Sequence, residues 1–163
     1  MPKSPTTEII ARGVLIQHGC VLLCQNLKHG YSYLPGGHVE FAEAAADALK
    51  REMLEECGEE VRVGPLLLTH EEAFKGPKRV HHEINLVFHM EHTKPVHEEP
   101  TPIKSVEDDI GFIWADLAEL IEMDLRPHTM KAWLASGGGI EEHHGPLLSA
   151  FPEPLRYAPA KHS

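Results

Sequence analysis

The sequence predicts an α/β fold in which an α/β/α sandwich surrounds a mixed β-sheet. Two strand-like segments come first, one long helical segment follows, and further strands and two short helical segments complete the chain. That order favours helices packed on both faces of a sheet. The 163 residues, 42% of them hydrophobic, suit one domain with a sizeable core.

The first half of the chain is predicted to form a hairpin and a long helix. Runs rich in β-branched residues and leucine predict strands over residues 9–17 and 21–25. A short strand at residues 33–34 leads into a helix predicted over residues 43–57. Gly58 follows directly and is a C-cap signal, because glycine readily adopts the left-handed conformation that ends a helix.

The second half is predicted to complete the sheet and add the last helical layer. Strands are predicted at residues 61–69, 80–90 and 111–114, and short helices at residues 116–121 and 127–135. Alternation of apolar and polar residues is clearest over residues 80–90. Residues 71–79, which contain Gly76 and Pro77, and the proline-rich residues 91–104 predict loops.

The predicted domain covers residues 1–136, and residues 137–163 form an arm rich in proline and glycine. The arm shows no helical or strand periodicity, so we expect it to be extended. Its apolar residues have no element of their own to support. We therefore expect the arm to pack across a second copy of the chain, in a homodimer.

Composition and charge exclude several classes of protein. The formal net charge of −10 argues against a nucleic-acid polymer as partner, because such binders carry a basic patch. No run reaches the roughly 20 apolar residues that span a membrane, and the N-terminus lacks the apolar core of a signal peptide. Three cysteines form no even disulfide framework. We therefore expect a cytoplasmic protein.

The predicted long helix carries three glutamates on one face. Glu52, Glu55 and Glu56 lie at positions i, i+3 and i+4, where Cβ atoms are roughly 5–6 Å apart. Like charges at this spacing repel, so the cluster costs helix stability unless a positive charge lies over it. Hard divalent cations such as Mg²⁺ take oxygen ligands. A metal bound there could hold phosphate oxygens.

The alternative interpretation is a solvated acidic face, which is the usual meaning of a glutamate cluster. Three features favour a site instead, and the C-cap signal of Gly58 is the first. The small residues Ala45 and Ala48 flank the direction of Glu52 around the helix. The run 34–37, Leu-Pro-Gly-Gly, predicts a sharp turn just before the helix. Small residues beside acids allow a ligand or a backbone loop to approach closely.

Glycine, glutamate and arginine recur at set spacings from Gly37 to Gly58. The segment resembles the signature of the Nudix hydrolases, Gly-x5-Glu-x7-Arg-Glu-U-x-Glu-Glu-x-Gly-U, in which U is bulky and aliphatic. The matching residues are Gly37, Glu43, Arg51, Glu52, Met53, Glu55, Glu56 and Gly58. The final position, Glu59, departs from the signature. The resemblance covers about residues 8–136 and implies a Nudix-type sandwich.

The resemblance implies a role for each matching residue. Glu52, Glu55 and Glu56 would be the catalytic and metal-binding residues, with Mg²⁺ or Mn²⁺ as cofactor. The carbonyl of Gly36 commonly completes such a metal site, and an acid from a distant loop often adds a ligand or the base. Here Asp108, within the run 107–109, is the candidate. The structural or orienting residues would be Gly37, Glu43, Arg51 and Gly58.

Residues near the predicted helix and on the 80–90 strand are candidates for substrate binding. Tyr31 and Tyr33 could stack on a nucleobase. The other candidates for the cleft are His38, His82, Glu83 and Asn85. The chain has 13 histidines, but no set of histidine and cysteine shows structural-zinc spacing. We interpret most of them as surface residues and keep a histidine metal site as an alternative.

The resemblance implies an enzyme that hydrolyses a pyrophosphate bond in a nucleoside diphosphate derivative, by attack of water at phosphorus. The substrate would be a nucleoside triphosphate, a nucleotide sugar or a similar small molecule. Sequence marks of the known subfamilies do not select among these. The alternative is a catalytically weak Nudix-fold module that binds nucleotides or a partner protein. Intact acids in the signature favour the enzyme.

Overall fold

Strands are the most abundant secondary structure in the computed structural model, which describes residues 6–76, 78–95, 97, 99–138 and 147–149. Nine strands lie within these residues: Thr7–Val14 (β1), Ile16–Gln17 (β2), Cys20–Asn26 (β3), Ser32–Tyr33 (β4), Gly36–His38 (β5), Val61–Lys75 (β6), Val80–His92 (β7), Ile110–Asp116 (β8) and Leu147–Ser149 (β9). The helices are Ala45–Cys57 (α1), Lys131–Ala135 (α2) and two 3₁₀ helices, Leu117–Glu122 and His128–Met130.

The strands form two sheets. The larger has the order β5-β1-β7-β6-β9, in which β1 pairs with β7, and β6 with β9, in parallel, while the other neighbours are antiparallel. In the smaller sheet β3 pairs antiparallel with β2, β4 and β8. A mixed sheet with helices confirms the predicted α/β class.

Helix α1 packs one apolar face against the larger sheet. Its buried residues are Ala48, Leu49 and Met53, which contact a core cluster that includes Ala11 of β1. Gly58 ends the helix at φ 68°, and its N–H donates to the carbonyl of Leu54. This is the C-cap that the sequence predicts. Among the described residues, no helix has the length and apolar character needed to cross a membrane.

A second core lies on the opposite side of the sheet from α1. Val14 of β1 and Val87 of β7 pack there against residues of the C-terminal helices, such as Leu120 and Leu134. Alternation along β1 explains the division, because odd-numbered Ala11 contributes to the α1 side and even-numbered Val14 to the other. The sheet therefore lies between two helical layers.

Strand β6 is longer than predicted. It continues to Lys75, through residues 71–75 that the sequence placed in a loop. The register pairs Glu72 with Glu83 and Phe74 with His81 across β6 and β7. Acidic residues disfavour a strand by local propensity, so the pairing with β7 overrides the local signal. The correction matters because it brings residues 72–75 beside the substrate candidates on β7.

The C-terminal arm contributes at least one strand. Residues 147–149 pair with β6 in parallel, Thr69 lying opposite Leu147. The rest of the predicted arm, residues 139–146 and 150–163, lies outside the described residues. The division at residue 136 and the homodimer therefore stay predictions.

A buried histidine in β6 should make stability depend on pH. His70 is 0% exposed, and its Nε2 lies 2.8 Å from Thr129 Oγ1. Burial lowers the pKa of His70 from 6.5 to about 4. Between these values the unfolded chain binds more protons than the folded one. Stability should therefore fall by about 1–3 kcal/mol as pH falls from 6.5 to 4.

The test is urea unfolding of the parent and of His70→Gln between pH 7 and pH 4. Glutamine can keep a hydrogen bond to Thr129 but has no proton to gain. The free energy of unfolding of His70→Gln should change less with pH than that of the parent. Exposed His29 provides the control: the free energy of unfolding of His29→Gln should depend on pH as strongly as that of the parent. Parallel profiles for the parent and His70→Gln would contradict the assignment.

Candidate active site

A cleft of about 680 Å³ lies between the larger sheet and the C-terminal helices. Its floor is formed by β1, β6 and β7, through residues such as Arg12, Glu72 and Asn85. Glu52 and Glu56 of α1 line one end, beside Gly36 and Gly37. The cleft is therefore a concave site that joins the predicted metal ligands to a larger recess.

Two of the three clustered glutamates face this cleft. Glu56 is partly buried, and its Oε2 has no hydrogen-bond partner among the described residues. Burial, followed by the charges of Glu52 and Glu107, raises the pKa of Glu56 to about 7. The side chain of Glu55 is 60% exposed and contacts Arg51. A buried carboxylate oxygen without a donor is a position that a cation can fill.

Gly36 and Gly37 allow the β5 backbone to approach this cluster. A Cβ on Gly37 would lie 2.3 Å from Glu52 Cδ, so a side chain there would displace the Glu52 carboxylate. The carbonyl of Gly36 accepts a hydrogen bond of 3.0 Å from Arg12 Nη1. The close approach to Glu52 explains the glycine at position 37, and the close approach of β5 to the Ala11 carbonyl of β1 explains the glycine at position 36.

Arg51 holds the glutamates from the rim of the site. Its guanidinium donates two hydrogen bonds to Glu43, at 2.8 and 3.0 Å, and one each to Glu52 at 2.9 Å and Glu55 at 3.2 Å. These bonds lower the pKa of Glu43 to about 2. Arg51 thereby links three carboxylates, those of Glu43, Glu52 and Glu55.

The donor set fits a hard divalent cation. Carboxylate oxygens of Glu52 and Glu56 and the nearby backbone carbonyl of Gly36 are oxygen ligands of the kind that Mg²⁺ and Mn²⁺ take. The unpartnered Glu56 Oε2 is the observation that favours an ion. Arg51 already contacts Glu52 and Glu55, which leaves Glu56 as the least neutralised member of the cluster.

The acidic run at residues 107–109 approaches the C-terminal end of α1. The backbone N–H of Val106 donates to the carbonyl of Glu56 at 2.7 Å. The next residue, Glu107, is close enough for its charge to raise the pKa of Glu56. Asp108, the candidate from the sequence, lies one residue farther along, in an exposed turn.

Comparison with known proteins decides the family. A family model described as the NUDIX domain matches residues 8–136. The chain belongs to the NUDIX domain family. It is a Nudix hydrolase, and the general reaction of this class is the hydrolysis of a pyrophosphate bond. A comparison with curated proteins finds no match.

Solved structures share this Nudix fold. The MutT protein from Methanosarcina mazei Go1 has a TM-score of 0.65 at 19% identity, over 86% of this chain and 99% of that one. An ADP-ribose pyrophosphatase from Streptococcus suis 89-1591 has a TM-score of 0.57 at 16% identity, over 88% and 100%. The E. coli ORF135 protein has a TM-score of 0.55 at 24% identity, over 82% and 90%. At these identities the likeness shows the fold.

Most of the predicted substrate residues line the cleft of the Nudix domain. They are Tyr31, Tyr33, His38, Glu83 and Asn85. His82 is the exception, and its Nδ1 lies 3.3 Å from Thr7 Oγ1. Because side chains alternate along a strand, His82 belongs to the face of β7 opposite Glu83 and Asn85. The structure therefore does not place His82 with the other candidates.

Three residues that sequence reasoning missed also line the cleft: Arg12, Glu72 and Arg126. The Arg126 guanidinium lies 4.3 Å from the centroid of the Tyr31 ring. Burial and the Glu83 carboxylate raise the pKa of Glu72 to about 7. One feature of the sequence could have indicated Arg12, because it is the single charged residue in an apolar predicted strand. Glu72 had none, because its segment was predicted to be a loop.

Replacement of Arg51 by lysine should reduce turnover by the Nudix domain. Lysine keeps the charge but cannot make the forked contact with Glu43 while it also holds Glu52. Loss of such an orienting partner typically costs about 10–100-fold in activity. We expect the loss in kcat, because Arg51 does not line the cleft.

The measurement is steady-state hydrolysis by Arg51→Lys and by the control Arg62→Lys. Arg62 forms an exposed ion pair of 3.7 Å with Glu91 and does not line the cleft, so its replacement should leave kcat unchanged. Equal kcat values for the two variants would remove Arg51 from the orienting role.

Proposed function

We propose that this Nudix hydrolase uses Mg²⁺ or Mn²⁺ to hydrolyse a nucleoside diphosphate derivative, such as a nucleoside triphosphate or a nucleotide sugar. Water would attack at phosphorus and break the pyrophosphate bond. The observation that carries the proposal is the buried, unpartnered Oε2 of Glu56 at the end of a cleft that also contains Glu52 and Gly36.

In this proposal the residues at the α1 end of the cleft bind the metal and orient the phosphates. Glu52, Glu55, Glu56 and the Gly36 carbonyl would hold the cation, which supplies charge neutralisation at the phosphate oxygens and activates water when it is bound. Arg51 and Glu43 keep the carboxylates aimed. Gly37 leaves the space that Glu52 requires.

Another part of the cleft would hold the group beyond the phosphates. Tyr31 and Tyr33 form an aromatic wall, with ring centroids 5.9 Å apart. Glu83 and buried Asn85 provide oxygen and amide groups on the floor. Such a combination of stacking surface and hydrogen-bonding groups suits a nucleoside. It supports a small nucleotide substrate without selecting the base.

Glu107 is a stronger candidate than Asp108 for the acid that the distal loop supplies. The bond from Val106 to the end of α1 anchors the loop one residue before Glu107, and the charge of Glu107 acts on Glu56. Glu107 could accept the proton of the attacking water or contribute a further oxygen ligand.

A matched pair of variants tests this assignment. Glu107→Gln should lower kcat by about 10²-fold, in the range of a lost general base. Asp108→Asn, which removes the neighbouring exposed charge, should leave kcat within twofold of the parent. Steady-state rates at saturating substrate and metal provide the measurement. A larger loss of kcat in Asp108→Asn than in Glu107→Gln would identify Asp108 as the functional acid instead.

The proposed function is tested by a substrate panel with and without EDTA. The panel contains nucleoside triphosphates, ADP-ribose, nucleotide sugars and dinucleoside polyphosphates, with phosphate release after phosphatase treatment as the readout. We expect turnover of at least one class, its loss in EDTA, and its recovery with excess Mg²⁺. Tight nucleotide binding without metal-dependent turnover across the panel would indicate a binding module and overturn the proposal.

A further inference from the structure

A second group of potential metal ligands lies on β1 and β7, away from the α1 glutamates. Glu8 pairs with Glu83 in the parallel register of these strands, and His81 precedes Glu83 by two residues on the same face of β7. One ligand atom from each of Glu8, His81 and Glu83 lies within 4.8 Å of the other two. We refer to these three residues as the Glu8 cluster.

The imidazole of His81 is held in a defined orientation. Its ring stacks on Phe74, with centroids 5.1 Å apart and an angle of 8° between the planes. Gly76 leaves space at the far edge of the ring, since a Cβ there would lie 2.8 Å from His81 Cδ2 and Nε2. The opposite nitrogen, Nδ1, lies 2.9 Å from Glu8 Oε2. The ring therefore presents Nδ1 to the carboxylate.

A fourth donor lies at the edge of the Glu8 cluster. His38, on β5, has its Nε2 3.8 Å from Glu8 Oε1. Its side chain is 65% exposed, so a change of rotamer can bring the imidazole closer. Two imidazoles and two carboxylates then surround one point. This set differs in kind from the α1 site, where the candidate ligands are all oxygens.

The charges around the Glu8 cluster are compatible with a bound cation. The Arg79 guanidinium donates to Glu8 Oε1 and supplies the neighbouring positive charge. Arg79 is 50% exposed, and an ion pair formed by so exposed an arginine is weak. A dication can therefore displace Arg79 into solvent, and it would also neutralise Glu83.

We propose that Glu8, His81 and Glu83, with His38 as the fourth donor, bind a transition-metal dication of the Zn²⁺ type at the mouth of the cleft. Imidazole nitrogen combined with carboxylate oxygen suits Zn²⁺, Co²⁺ and Ni²⁺, whereas Mg²⁺ takes oxygen ligands. Because Glu83 and His38 also line the cleft, the ion would change the charge that a substrate meets at the entrance. The site does not depend on the proposed function.

The test is metal binding by the full-length chain, prepared without a histidine tag and free of metal. Co²⁺ is the spectroscopic probe, because four-coordinate binding produces visible absorption bands, and Zn²⁺ affinity is measured by calorimetry. We expect one site that survives in Glu56→Gln. His81→Ala and Glu8→Gln should each lower the affinity for Zn²⁺ at least tenfold. Circular dichroism should show that both variants fold.

Two controls exclude other histidines. His29 is exposed and does not belong to the Glu8 cluster, so His29→Gln should bind Zn²⁺ with the affinity of the parent. Replacement of both His143 and His144 by glutamine should also keep it, and loss of binding in that variant would assign the ion to the C-terminal arm and overturn the proposal. Parent affinity in His81→Ala and Glu8→Gln, or loss of the Co²⁺ bands in Glu56→Gln, would overturn it equally.

Discussion

Glu56→Gln should abolish nearly all metal-dependent hydrolysis while the fold remains intact. The Glu56 carboxylate has a buried oxygen, Oε2, that forms no hydrogen bond with the described residues. A metal ion contributes several kcal/mol of charge stabilisation to the transition state, so loss of a principal ligand should lower kcat on the order of 10³-fold. Raised Mg²⁺ concentration should recover part of the loss, because the remaining ligands still attract the ion.

Stability provides the second readout for this variant. The carboxylate is partly buried among other acids, which raises the pKa of Glu56 to about 7. Glutamine removes that unfavourable charge at neutral pH, so the metal-free variant should be at least as stable as the parent in urea. Glu119→Gln, at an exposed position on the 3₁₀ helix Leu117–Glu122, is the control and should match the parent in kcat. Parent-like turnover in Glu56→Gln would refute its role as a metal ligand.

Gly36→Ala should cause the largest loss of stability of any single change considered. Gly36 has φ +129°, which residues with a side chain rarely adopt, and an added Cβ would lie 2.0 Å from the carbonyl oxygen of Ala11. Backbone strain and overpacking each cost about 1–3 kcal/mol. Their combination should lower the free energy of unfolding by about 3–5 kcal/mol. The strands cannot separate to relieve the clash without loss of the pairing between β1 and β5.

A second glycine separates the two contributions. Gly19 has φ +75°, but an added Cβ meets no atom within 4 Å. In Gly19→Ala the free energy of unfolding should therefore fall only by the cost of the left-handed backbone conformation, about 1–2 kcal/mol. The measurement is the urea midpoint of each variant together with its m-value. Equal losses at the two positions would show that the close approach of β5 to β1 carries no steric cost.

Several features of this protein could be predicted from local sequence alone. Helix α1 is one, because its acids, its small residues and the Gly58 cap lie within a few turns of each other. Residues three or four positions apart lie on the same face of a helix, so their spacing in the sequence predicts that they are neighbours. Arg51 lies one residue before Glu52 and four residues before Glu55 on this helix, and its guanidinium contacts both side chains. The α/β class followed in the same way, from the order of strand and helix patterns along the chain.

Other features were decided by the tertiary structure. Glu72 joins the cleft only because β6 extends along β7, and local propensity gave no sign of that pairing. The charge of Glu107 acts on Glu56 because a loop is anchored at the end of α1. His82, by contrast, belongs to the strand face opposite the cleft, although it adjoins Glu83 in sequence.

The Glu8 cluster shows the difference most clearly. Glu8 lies more than 70 residues before His81 and Glu83 in the chain. Only the register of β1 against β7 brings Glu8 beside Glu83. A register is set by the packing of whole strands and their cores, not by the residues that later form a site. The sequence by itself therefore determined the helix that carries the Nudix signature. The tertiary structure decided which residues line the cleft, because those neighbours meet only when the sheet is complete.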